Sequence, residues 1–531
     1  MITNPILRGF NPDPAILRVG DGYYIACSTF EWFPGVALHH SRDLVNWRLL
    51  GFPLDRVSQL DLRGCGDSSG VWAPCLTHDG ERFYLIYTSV RNWGPGETFA
   101  DTPNYLVTAE SAEGPWSEPI YLNSSGFDPS LFHDADGRKW LLNMRYDHRK
   151  GRDRFSGIVI QEYSHAEGGL VGEPRLIFTG TSIGVTEGPH LYRRDGWYYL
   201  VVAEGGTVYE HAVTVARSRE LFGPYEVHPE NPLLTSYGRP DLALQKAGHG
   251  SLVETQGGEW YLAHLCGRPL DPPGAALRRC NLGRETALQA LAWGADGWPR
   301  LAGGGNAPRV QAPAPRLEPH PFAAAPERDD FDRDELGLPW QTLRVPTDES
   351  WVTLRERPGH LRLRGRESLR SRHDQSLVGR RLQAHQAVAE TCLEFAPRSF
   401  KQMAGMALFY NTANWVYLRV SRDDEGRRRL GVLVHDNGSY DEPLAEELDV
   451  EAWPRVHLRA SFDDAELRLF ASPDGANWRP VGPAFDAGKL SDDYCGGLSF
   501  TGTFIALCAQ DLEGTRAPAD FAYFSYSEAG G

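Results

Sequence analysis

The sequence predicts an all-β chain: a five-bladed β-propeller over residues 1–301 and a β-sandwich over residues 328–531, joined by a linker over residues 302–327. Three observations predict it. Five hairpin-like segments recur at an even spacing through the first three hundred residues. Beyond a Pro-, Ala- and Gly-rich stretch the pattern changes to period-two strands without that repeat. The composition, finally, suits strands and turns. The 531 residues include 15 Trp, 21 Tyr and 23 Phe, which favour strands, and 56 Gly and 37 Pro, which favour turns.

The repeated segments are DPAILRVGDGYYIACS, APCLTHDGERFYLIYTS, DPSLFHDADGRKWLLNM, GPHLYRRDGWYYLVVAE and HGSLVETQGGEWYLAHL. They start at Asp13, Ala73, Asp128, Gly188 and His249, which by subtraction are 60, 55, 60 and 61 positions apart. Each reads as an apolar strand, a Gly- or Asp-containing turn and an aromatic strand, the pattern of a β-hairpin. Further strands follow, as in VALHHS from Val36, NYLVTAES from Asn104 and AVTVARS from Ala212. About 55–60 residues with roughly four strands is what one propeller blade requires, and radial closure then leaves only short edges. The first strand of each blade lies nearest the central channel, so residues at its start converge on the channel mouth. Asp13 and Asp128 begin such strands, and Glu187 immediately precedes the fourth. Three carboxylates far apart in sequence are therefore expected in one pocket.

The linker, AGGGNAPRVQAPAPRLEPHPFAAAPE, is extended in part by its prolines and is expected to run along a surface. After it, HLRLRG, MALFYN, WVYLRV, RLGVLVHD, RVHLRASF and AELRLFAS alternate apolar and polar residues. That alternation indicates an antiparallel sandwich.

A formal net charge of -16 argues against a nucleic-acid partner or an anionic membrane surface, and leaves a neutral partner such as a sugar. No apolar run is long enough to span a bilayer, and Met1 to Asp13 shows no basic region followed by an apolar one. The eight cysteines form no C-x-x-C pair and read as free thiols of a reducing cytoplasm.

Three acids in one pocket suit glycoside hydrolysis. One carboxylic acid protonates the leaving oxygen, and a second carboxylate activates water or attacks the anomeric carbon. A third acid nearby raises its neighbour's pKa by like-charge repulsion. The motifs GFNPDPAI (from Gly9), STFEWFPGV (from Ser28), GVWAP (from Gly70), GFDPSLF (from Gly126), TEGPHLY (from Thr186) and LGRET (from Leu282) resemble glycoside hydrolase family 43, in its two-domain β-xylosidase branch. The resemblance extends through FTGTFIALCAQDL and so covers essentially the whole chain.

It implies a five-bladed propeller followed by a concanavalin-like sandwich. It assigns Asp13 as general base, Glu187 as general acid and Asp128 as the acid that tunes and orients Glu187. Phe30 and Trp72 match aromatics of the non-reducing-end subsite, and Arg284 matches an arginine that contacts substrate hydroxyls. Phe504 matches a residue that the sandwich inserts toward the pocket. No cofactor is required. An ion or water near His249 in the channel is implied, with Ca²⁺ as the candidate metal, held through solvent.

The activity implied is exo-acting, inverting release of D-xylose from β-1,4-xylooligosaccharides, with α-L-arabinofuranosidase activity as side or main alternative. A non-catalytic sugar-binding protein and a propeller scaffold are the readings from other classes. The first has no need of three acids, and no sequence feature supports the second. A homo-oligomer, dimer or tetramer, is implied by the resemblance alone.

Overall fold

The computed structural model describes residues 1–94 and 96–529. Five blade sheets, four of four strands and one of five, follow one another around an axis. Blade one is built from Ala15–Val19, Gly22–Cys27, Ala37–Ser41 and Arg48–Gly51. Blade two comprises Gly70–His78, Phe83–Val90, Asn104–Ala109 and Ile120–Asn123. Blade three comprises Ser130–His133, Lys139–Tyr146, Phe155–Ser164 and Gly169–Phe178. Blade four has Glu187–Arg194, Trp197–Glu204 and Ala212–Ser218, with its outer edge divided between Glu226–Val227 and Leu234–Thr235. Blade five has Gln245–Glu254, Trp260–Gly267, Glu285–Trp293 and Pro299–Leu301.

Separate apolar clusters fill the gaps between neighbouring blades. Leu38, Leu76, Phe83 and Val107 join blades one and two. Tyr84, Ile86, Leu131 and Leu141 join two and three. Val201, Val213, Leu252 and Leu262 join four and five. Ile16, Ile25, Tyr261 and Leu288 close five onto one. Polar stitches add to closure: the Ser251 hydroxyl donates to Pro14 O at 2.8 Å and accepts from the Ile16 amide at 2.9 Å.

The backbone explains the repeat. The residue that opens each segment has a positive φ: 55° at Asp13, 29° at Ala73, 55° at Asp128, 55° at Gly188 and 49° at His249. In blades one and three this left-handed residue lies just before the innermost strand; in blades two, four and five it lies within that strand, where the pairing register shifts. Non-glycine residues rarely adopt this conformation, so its recurrence at four of them marks a constrained position. At Gly188 a side chain would also be crowded, because an added Cβ would sit 3.0 Å from His249 Cε1 and the imidazole would have to give way.

The linker lies against the propeller. Gln311–Ala312 pairs with Ile2–Thr3, and the His320 amide donates to Asp43 Oδ2 at 2.7 Å. The second half is two nine-stranded sheets packed face to face. Their core includes Trp351, Leu408, Leu418, Leu458, Leu507 and Phe521. The strands are antiparallel, and the one helical element among the described residues is the short 3-10 turn Ala487–Lys489. One edge of a sandwich sheet is supplied by the propeller: Trp32–Phe33 pairs with Gln341–Leu343, Leu343 opposite Trp32 and Thr342 opposite Phe33. The Trp32 ring stacks on Phe504, centroids 3.5 Å apart at 12°. One apolar cluster, including Phe10, Trp32, Leu343, Phe409 and Phe504, runs unbroken from propeller to sandwich.

Candidate active site

The left-handed turns set the geometry of the channel mouth. Asp13, Asp128 and His249 occupy the turn position itself in blades one, three and five. Trp72, Phe127 and Glu187 occupy the preceding position in blades two, three and four. The three acids are 5 %, 7 % and 9 % exposed, in the order Asp13, Asp128, Glu187, so burial is the largest single influence on the ionisation of each.

Asp13 is held in its charged form. Its Oδ1 accepts from Arg284 Nη1 at 2.7 Å and its Oδ2 from the Ser28 hydroxyl at 2.7 Å. Burial alone would raise its pKa; Arg284, His249, Ser28 and His211 outweigh that and bring it below the usual carboxylate value. Ser28 also accepts the Ala73 amide at 2.7 Å, tying blade one to blade two beneath the acid.

Asp128 is pushed the other way, to about 8, by burial and by the Asp13 charge, with the Gly188 amide and Arg284 opposing. Its Oδ2 takes the Gly188 N–H at 3.0 Å, which links blade three to the residue after Glu187. Glu187 is raised well above the usual carboxyl value by burial, then by Asp128 and Asp13, with Arg284 alone opposing. A hydrogen-bond donor favours the ionised form. Among the described residues Asp128 has one and Glu187 has none acting on it, so Glu187 is the better holder of a proton. The chain before it is fixed by buried Glu204, which accepts from the Thr186 hydroxyl at 2.9 Å and the Thr181 amide at 2.7 Å.

Arg284, 2 % exposed, is the electrostatic centre of the site. Beyond Asp13 it donates to Thr207 Oγ1 at 2.9 Å and to Phe500 O at 3.1 Å. Its guanidinium lies 5.4 Å from the ring centroids of both Phe30 and Phe500.

The apolar wall is larger than the sequence indicated. Trp72 lies 6.0 Å from Phe30, 5.3 Å from Trp93, 5.3 Å from Phe127 and 5.5 Å from Phe500, centroid to centroid. Phe127 shares the blade position of Trp72 and Glu187, so the register of the repeat carried the signal for it. Phe504 does not line this wall. It is fully buried between Trp32 and Phe10, one layer behind Phe30. The residue that the sandwich brings to the pocket is Phe500, four positions earlier and half-buried.

The Ca²⁺ expected beside His249 is not supported. Among the described residues no group of three or more His, Cys, Asp or Glu is placed to hold a metal ion. His249 lies against Gly188, and burial lowers its pKa while the Asp13 charge opposes that.

Comparisons with known proteins show the family and the fold. Residues 2–299 match the model of glycosyl hydrolases family 43. The chain belongs to that family. Residues 328–527 match the β-xylosidase C-terminal concanavalin A-like domain. This family 43 chain is 50 % identical to the β-xylosidase of Bacillus subtilis over 99 % of both chains. It is 49 % identical to xylosidase/arabinosidase 43B of Humicola insolens, over 99 % of this chain and 97 % of the relative. The crystal structure of xylan β-1,4-xylosidase from Bacillus halodurans superposes with a TM-score of 0.97 at 56 % identity, over 99 % of this chain and 100 % of that one. The chain is therefore a glycoside hydrolase with the propeller-and-sandwich architecture of its relatives. No helix among the described residues is long and apolar enough to cross a membrane.

Proposed function

We propose that this enzyme releases D-xylose, one unit at a time, from the non-reducing ends of β-1,4-xylooligosaccharides with inversion at the anomeric carbon. The observation that carries the reading is the contrasting setting of two buried acids beside one aromatic wall: Asp13 accepts from Arg284 at 2.7 Å, whereas Glu187 is buried with Asp128 as its neighbour. Asp13 is held as a carboxylate by Arg284, and Glu187 is held as a neutral acid by burial and by Asp128. In the first motion of the reaction Glu187 gives its proton to the leaving glycosidic oxygen. Asp13 takes a proton from the water that attacks the opposite face of the sugar. Asp128 keeps Glu187 protonated until the leaving group needs it and, through the Gly188 amide, orients it. For a water to fit between base and acid, their separation is expected to be about 6.5–9.5 Å. Phe30, Trp72, Phe127 and Phe500 surround the terminal sugar, and Arg284 is available to its hydroxyls. The propeller, residues 1–301, carries the chemistry; the sandwich shapes the pocket through Phe500.

A second reading, α-L-arabinofuranosidase activity, is favoured by the relative named for both activities. Rates on aryl β-D-xyloside and aryl α-L-arabinofuranoside separate them: the xyloside is expected to be the better substrate, and the reverse order would make arabinose the main product. We place the enzyme in the cytoplasm, acting on short imported oligomers; its eight cysteines are all buried free thiols, as a reducing compartment allows. The dimer or tetramer implied by its resemblance to the family is read by analytical ultracentrifugation.

A further inference from the structure

Phe500 belongs to the sandwich, yet both hydrogen-bond partners of its backbone belong to the propeller. Its amide donates to the Ser68 hydroxyl at 2.8 Å, and its carbonyl accepts from Arg284 Nη2 at 3.1 Å. Arg284 is already committed to Asp13. Among the described residues Ser68 makes no hydrogen bond to Asp13, Asp128 or Glu187, and its partners belong to the aromatic wall or adjoin it. Its carbonyl accepts the Trp72 indole N–H at 2.8 Å. Its own amide donates at 3.0 Å to Glu31 Oε2, the fully buried neighbour of Phe30. Ser68 is itself fully buried and sits at φ 56°, a left-handed conformation that places its amide, hydroxyl and carbonyl toward three different partners. The next residues continue the arrangement: Gly70, at φ 88°, passes so close to Phe30 that an added Cβ would lie 2.3 Å from Phe30 O.

We propose that Ser68 is a positioning residue for sugar binding: through its hydroxyl it docks the sandwich-borne Phe500 against Trp72 and Phe30, so that the terminal-sugar pocket exists only when the two domains are seated. The inference rests on the glycosidase reading above. It assigns binding, and not proton transfer, to this contact. Loss of the hydroxyl frees the Phe500 amide and lets its ring leave the wall, while the bonds to Trp72 and Glu31, which use the Ser68 backbone, survive.

The test is Ser68→Ala assayed on xylobiose, alone and in a Phe500→Ala background. The expected result is a rise in KM of about tenfold, worth roughly 1.4 kcal/mol, with kcat changed less than about twofold and both limbs of the pH profile unmoved. In the Phe500→Ala background the same substitution is expected to change KM less than about twofold, since interacting residues are non-additive. Thr412→Val is the structural control. It removes another bond between the domains, from Thr412 Oγ1 to Asp67 Oδ2 at 2.6 Å, without touching Phe500, and should lower the melting temperature and leave KM unchanged. Should Ser68→Ala not fold, Ser68→Gly removes the same hydroxyl and accepts a positive φ without strain. An unchanged KM in a folded Ser68 variant, an equal effect in both backgrounds, or the same KM rise in Thr412→Val would overturn the proposal. Failure of the wild-type enzyme to cleave xylobiose would instead overturn the reading on which it rests.

Discussion

Glu187→Gln isolates the role of the proposed acid. Only burial and neighbouring charges act on this carboxyl, and they keep it neutral. An amide of the same size therefore removes no charge at neutral pH and breaks no hydrogen bond. The fold should be indifferent: a melting shift below about 2 °C is what less than roughly 1 kcal/mol produces at this size. Catalysis should not be. General acid assistance contributes about 10²–10⁴-fold, or about 2.7–5.4 kcal/mol at 1.36 kcal/mol per tenfold. That loss is expected on xylobiose, whose leaving sugar oxygen must be protonated. On a dinitrophenyl xyloside the leaving phenolate needs no proton, and the loss should stay under about tenfold. Initial rates on the two substrates, with circular dichroism melting as the control for folding, make the comparison. Equal large losses on both substrates, or normal turnover of xylobiose, would refute Glu187 as the acid.

Asp13→Asn should behave in the contrary way: equal loss on both substrates, because the attacking water is affected and not the leaving group, and destabilisation by up to about 3–5 kcal/mol, because Arg284 loses the carboxylate it meets at 2.7 Å while remaining buried. Arg284→Met removes the cation that lowers Asp13, Asp128 and Glu187 alike. The base must be ionised and the acid protonated, so the acidic limb follows Asp13 upward and the alkaline limb follows Glu187 upward; the whole kcat/KM profile is expected to move to higher pH, and a fixed or acid-shifted profile would contradict the placement. Phe504→Ala removes the partner stacked on Trp32 at 3.5 Å and should cost about 3–5 kcal/mol in melting experiments, with less effect on KM than Phe500→Ala; the opposite ranking would return Phe504 to the pocket.

The propeller was legible because its repeat is a backbone constraint as well as a pattern. At four of the five turn positions proline follows, in Asp13-Pro14, Ala73-Pro74, Asp128-Pro129 and Gly188-Pro189. The fifth, His249-Gly250, was found through its aromatic hairpin instead. The contribution of Trp32–Phe33 to a sandwich sheet was not legible: a two-residue strand shows no periodicity, and its partner lies more than 300 positions away. The Phe500 and Phe504 assignments were open to exchange for a related reason. Both phenylalanines lie in SFTGTF, and nothing local says which faces the pocket. Phe504 begins a strand paired with Ser376–Arg381 and Gln402–Asn411, which commits its ring to the layer behind the site. Phe500 precedes that strand, in a segment whose position is set by Ser68 and Arg284 of the other domain. Glu204 and Ser28 escaped notice because their work is done by hydrogen bonds to residues outside their own segments, and buried acids or serines carry no signature in a single sequence.

The division of labour between Asp13 and Glu187 is tested most directly by the anomer first formed. Proton NMR of xylotriose hydrolysis, recorded before mutarotation equilibrates the product, should show α-D-xylose and xylobiose appearing together from the β-linked substrate. First appearance of β-D-xylose would contradict direct water attack assisted by Asp13.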